Sequence, residues 1–183
     1  MVRQDDEGAP ERNAAQMEAG VLKTGWEQTV ADMRAMANDR EERGYEAITL
    51  TSFNTAPIAP ADGPDDDKRW GLSHLPDSDD VETFKKVYPE RDFSETGVYQ
   101  FADAGNVFMV TEHIDFDNEL IIYIAGAFRM LDAAAMVRAA MDRGKLYSYV
   151  RELDGTVVGS FEHDDPNAFF PDPEAYYAYE QSR

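Results

Sequence analysis

The chain has 183 residues, 37 acidic against 17 basic, a formal net charge of −20 and no cysteine. That length suits one domain with a core of its own, and the missing thiols exclude disulfides, thiolate catalysis and cysteine-ligated zinc or iron–sulfur clusters. The charge argues against a nucleic-acid partner, because phosphate binding needs a basic surface.

Residues 1–23 are polar and aperiodic, which predicts a disordered or loosely docked acidic arm. Thr24-Gly25-Trp26-Glu27 matches a capping box, and Trp26, Val30, Met33 and Ala37 follow at helical spacing on one face. Gly44 suits the end of that helix. Residues 45–51 then read as a short strand, and 54–69, with Pro57, Pro60, Pro64 and an Asp65-Asp66-Asp67 run, as a long loop. Trp70, Leu72 and Leu75 are expected to re-enter the core.

Ser78 is placed to cap a helix that runs to Tyr88. Acids open it, Lys85 and Lys86 close it, and Pro89 stops it. Three apolar strands follow at 98–102, 107–113 and 119–128, with Gly105-Asn106 and Asp117-Asn118 at the turns. This is an antiparallel meander in which Tyr99 and Phe101 share a face with Phe108 and Val110. The third strand is apolar on both faces, so helices or a partner must cover both. An Ala-rich helix runs from Asp132 to Gly144. A second hairpin folds around Asp154-Gly155, with Leu146, Val150, Val157 and Phe161 on one side and Tyr147, Tyr149, Arg151 and Val158 on the other. Residues 171–183 form a Tyr-rich terminal segment, and Tyr176, Tyr177 and Tyr179 are compatible with a short helix. The fold expected is α+β: one domain over 24–170, in the order α-β-α-β-β-β-α-β-β, on a mainly antiparallel sheet.

The acids comprise 21 Asp and 16 Glu against 5 Lys and 12 Arg, and they are spread through the chain. Such a balance fits molar salt, where a Debye length of about 3 Å leaves like charges almost blind to each other. Hydrated salt cations on surface carboxylates are expected, and no cofactor. No apolar run approaches the ~20 residues of a membrane span, and the first sixteen residues lack the core of a secretory signal. A soluble cytoplasmic protein is expected, with no membrane partner.

The helix before Tyr45-Glu46-Ala47-Ile48-Thr49-Leu50, the sheet through Ile121, and the closing Phe161-Glu162-His163-Asp164-Asp165-Pro166 with Phe169-Phe170 resemble a family of uncharacterised haloarchaeal proteins. The resemblance implies the fold and the saline habitat, and no activity. From Ser78 onward the element order is also similar to that of class I secretion chaperones and YbjN-like proteins.

Glycine-rich phosphate loops and the G-x-S-x-G elbow are absent from the sequence. His163 and Asp164 could share a divalent ion with Glu112 if the strand ends converge, with Asp115 and Asp117 nearby. Against this, Asp164-Asp165-Pro166 also reads as a plain turn, with His163 bonded to backbone. Arg129 could meet an anion, or pair with a neighbouring acid. Tyr147, Tyr149 and Arg151 are residue types enriched at interfaces, and Phe169 and Phe170 could cover them or dock on another chain. The function expected is a non-enzymatic module that binds a protein partner or a second copy of itself. The alternative is a small metal-assisted enzyme or metabolite binder centred on His163, Asp164 and Glu112.

Overall fold

The computed structural model describes the backbone of residues 9–60 and 70–182. The start of the expected arm and the Asp65-Asp66-Asp67 run lie outside the described residues. Helix α1 (Ala9–Glu42) begins far upstream of Thr24. Thr24 is therefore an interior residue and not a cap. Pro10 sits in the first turn, where proline is tolerated, and alanines sustain the helix beyond it.

Strand β1 (Glu46–Ile58) continues past the expected end at Thr51, through a bulge between Ser52 and Asn54. Strand β2 (Gly71–Pro76), unforeseen as a strand, pairs back on it. Helix α2 (Ser78–Val87) is capped by Asp77, one residue ahead of expectation; its Oδ1 accepts the Asp80 N–H at 2.7 Å. The meander forms as β3 (Glu95–Asp103), β4 (Asn106–Asp115) and β5 (Leu120–Arg129). Ala104 and Gly105 turn its first hairpin with φ of 50° and 77°, the left-handed pair that a type I′ turn needs. Helix α3 (Met130–Arg143) ends at Gly144, with φ 64°. Strands β6 (Leu146–Arg151) and β7 (Val157–His163) follow, then short helices α4 (Pro166–Phe169) and α5 (Pro173–Tyr177).

The seven strands form one sheet in the order β3-β4-β5-β1-β2-β6-β7. It is mixed, which corrects the expectation of a mainly antiparallel sheet. The pairs β1–β5 and β2–β6 are parallel, because the first strand inserts beside β5 and the α3 crossover delivers β6 beside β2. Helix α1 covers one face, where Met33 and Ala37 meet Val110, Ile114, Ile121 and Tyr123. On the other face α3 packs over Val107, Met109, Phe128 and Leu146, and α2 over Leu50, Ile122, Ile124 and Phe161. The doubly apolar β5 is thus covered by the chain's own helices. The sheet also curls. The Phe161 ring of β7 stacks on His113 of β4 with centroids 3.8 Å apart, although four strands separate them in the sheet.

The free edge of β7 is blocked by a side chain. The Tyr88 hydroxyl donates to the Ser160 carbonyl (2.8 Å) and accepts the Ser160 N–H (3.1 Å). An unpaired strand edge otherwise invites another chain. Tyr88→Phe keeps the ring stacked on Phe84 and removes only the hydroxyl. It is expected to cost about 1 kcal/mol in urea denaturation. An unchanged midpoint would show that water replaces the hydroxyl without loss.

Candidate functional site

All three histidines are buried on the inner face of the curled sheet. His163 lies between the hydroxyls of Ser148 (Nε2, 2.9 Å) and Thr96 (Nδ1, 3.4 Å), with His113 5.6 Å away ring to ring. His113 Nε2 meets Thr111 Oγ1 at 3.1 Å. His74 Nδ1 meets Thr55 Oγ1 at 3.0 Å. Thr55 in turn donates to Ser52 Oγ, and Ser52 donates to the Asn54 carbonyl. With both hydroxyl protons committed, Thr55 can only accept from His74, so Nδ1 carries the His74 proton. His74 Nε2 and His113 Nδ1 have no hydrogen-bond partner among the described residues. A bare ring nitrogen is tolerable there, and a protonated one is not. Burial lowers all three pKa values. His74 falls to about 3, with His163 and Arg151 adding to the effect, and His163 falls to about 4, against the pull of Glu162. His113 lies well below the usual range, through burial and then its two histidine neighbours.

Glu112 occupies the opposite face, under α1. Tyr123 donates to its Oε2 at 3.0 Å and Tyr99 to its Oε1 at 3.3 Å, while the Arg40 guanidinium stands 3.6 Å from Oε1. Burial, then the bond to Glu112 and its charge, push the Tyr123 phenol above its usual range. Gly97 makes room for this carboxylate: a Cβ there would lie 2.6 Å from Oε1. The group is an internal ion pair with two phenol donors.

His163 and Glu112 therefore do not converge. Successive residues of β4 point to opposite faces, so His113 joins His163 while Glu112 joins α1. Asp164 is exposed at the bend after β7. Among the described residues no three His, Asp or Glu side chains are grouped to hold a metal ion. His163 bonds side-chain hydroxyls, not backbone. Asp115 holds the turn after β4 through both the N–H and the amide of Asn118. Arg129 forms a two-bond pair with Asp132.

Of the aromatic set, Phe169 and Phe170 are buried in the chain's own core beside Tyr176. Tyr147 lies edge-on to Trp70, centroids 5.6 Å apart. Arg151 donates to Ser73 Oγ and Asn54 Oδ1, both at 2.7 Å. Tyr149 and Arg151 do share a surface cleft of about 620 Å³ with Ile58 and Val157. Val157 belongs to this outer side because the β6–β7 register shifts after Val150. The shift turns Val158 inward in its place, which corrects the pairing expected across that turn.

A second cleft, of about 650 Å³, lies on the other side of the β6–β7 hairpin. Leu75, Pro76 and Val81 line it, flanked by Phe53 and Leu153, and Asp154 belongs to both clefts. Phe53 is 70% exposed and Leu153 90% exposed, so neither is held by the core. The β1 bulge turns Phe53 outward, and the hairpin tip presents Leu153. Sequence reasoning passed over both. The readable signal was Leu153 itself, an apolar residue beside the Asp154-Gly155 turn where polar residues are the rule.

No helix among the described residues is long and apolar enough to cross a membrane. No curated protein and no solved structure matches the chain. Over residues 11–171 it matches the model of a family of unknown function, DUF7529, and the chain belongs to that family.

Proposed function

We propose that this is a non-catalytic protein-binding module that engages its partner around the β6–β7 hairpin. One observation carries the reading. Of the nine large apolar side chains left exposed among the described residues, Phe53, Ile58, Leu153 and Val157 gather at this hairpin and its two clefts. Exposed apolar side chains gathered around one element mark interaction sites. The polar groups that would suit chemistry, His163 and Glu112, are instead buried in separate networks. Arg151 stays in the proposed surface, with the buried Tyr149 behind it as a wall of the cleft. Phe169 and Phe170, being core and lining neither cleft, leave it. The charge of −20 supports a halophilic, cytoplasmic and haloarchaeal setting.

A photo-crosslinking residue at position 53 or 153, introduced in the native host, tests this. The expected result is one discrete adduct at each position, lost when the other position carries serine, with no adduct from Met17, equally exposed but lining neither cleft. An adduct of twice the protomer mass would identify a second copy as the partner. Equal labelling from all three positions would sink the reading.

A further inference from the structure

We infer that the cleft between Phe53 and Leu153 takes a peptide segment whose apolar side chain is flanked by arginine or lysine. This rests on the binding surface proposed above and names the chemistry of its partner.

The argument is local charge. Four carboxylates, Asp77, Glu82, Glu152 and Asp154, line this cleft. Each of the other four clefts described holds at most one. The contrast removes the general acidity of the chain as an explanation, since those clefts belong to the same acidic surface. Asp77 caps α2 and Asp154 holds the Thr156 N–H, so both side chains are fixed in place. Glu82 and Glu152 already show what the rim accepts: the Lys85 ammonium bridges them, 3.2 Å from Glu82 Oε1. The floor of Leu75, Pro76 and Val81 is apolar, as an aliphatic anchor requires. In molar salt, charges a few ångströms apart are screened, so only a cation in contact with the rim is read. A guanidinium, which can bond a carboxylate through two N–H groups, fits best.

The test is a peptide array of fixed length, with leucine or phenylalanine anchors flanked by Arg, Ser or Glu, probed with the full chain at 2 M KCl. Arg flanks are expected to bind about tenfold tighter than Glu flanks, with Ser between. Phe53→Ser with Leu153→Ser should abolish all signal. Glu82→Gln with Glu152→Gln should keep the apolar binding and erase the Arg preference. Circular dichroism controls for folding, which substitutions at exposed Phe53, Glu82 and Leu153 and half-buried Glu152 should not disturb. Anchors that bind with no charge preference overturn the inference and leave the binding-surface reading standing. An Arg preference that survives the Phe53/Leu153 double variant overturns it too, as attraction to the surface at large. Absence of any binding also overturns it, while the crosslinks from position 53 still decide the surface.

Discussion

At constant high salt, lowering the pH from 7.5 to 5 will remove about 4 kcal/mol of folding stability through His74 and His163 alone. The sign follows from burial. Each histidine is neutral in the fold, with pKa values of about 3 and about 4, against 6.5 in the unfolded chain. The unfolded state therefore takes up protons that the native state refuses. Their contribution is fully present above pH 6.5 and is lost as pH falls toward 4 and then 3. At pH 5 each costs about 2 kcal/mol, and at pH 4 about 3 kcal/mol. His113 acts in the same direction. Such a loss is comparable with the whole stability of many domains, about 5–15 kcal/mol.

One carboxylate runs against this slope: burial raises Asp80, so the folded form takes up its proton before the unfolded form does. Asp115 runs with it: against burial, its bonds to Asn118 and Asp92 hold the carboxyl low, so its contribution goes only at more acid pH. Denaturant melts at half-unit pH steps will show the slope. Replacing His163 by Gln should flatten it by one proton while keeping a polar group near Ser148. A denaturation midpoint constant from pH 7.5 to 5 would exclude the buried-histidine assignment.

Local patterns made the meander, the last hairpin and three helices readable. The spacing of Val107, Met109 and Thr111 against Phe108 and Val110 showed a strand, and Gly105 showed its turn. What stayed hidden was pairing between distant segments. Nothing in Ile48 or Leu50 says that β1 will lie parallel to β5, because β2, α2 and two strands of the meander intervene before the two segments can pair. The start of α1 was missed because a good capping box at Thr24 competes with an uninterrupted helical stretch before it, and propagation won over the local stop. The site was harder still. Alternation placed Glu112 on the face of Phe108, correctly, yet gave no sign that curling would bring β7 over β4 and seat His163 beside His113. One-residue bulges decided the surface. They expelled Phe53 and exchanged Val157 for Val158, and a bulge has no period to read.

Moving the protein from 2 M KCl to ~50 mM salt will unfold it at neutral pH. Treated as a sphere of about 20 Å radius, a charge of −20 stores roughly 15–20 kcal/mol of repulsion at 50 mM salt and roughly 4 kcal/mol at 2 M. The expanded unfolded chain stores only about 3 kcal/mol at the lower salt, so dilution favours it by roughly 10 kcal/mol. Strengthened ion pairs oppose this. Lys23–Glu27, Asp39–Arg43, Arg129–Asp132, Arg138–Glu180 and Lys145–Glu162 are all exposed. Exposed pairs contribute about 0.2–1 kcal/mol each, so together these five recover at most about half of the loss. The pair of half-buried Arg40 and buried Glu112 responds less to salt than these exposed pairs. Circular dichroism across a salt titration will show the transition, and exchanging three exposed acids for lysine should shift its midpoint to lower salt. A spectrum unchanged down to 50 mM would overturn the halophilic reading and return the carboxylates of the Phe53–Leu153 cleft to dilute-buffer electrostatics, where they would attract cations over a longer range.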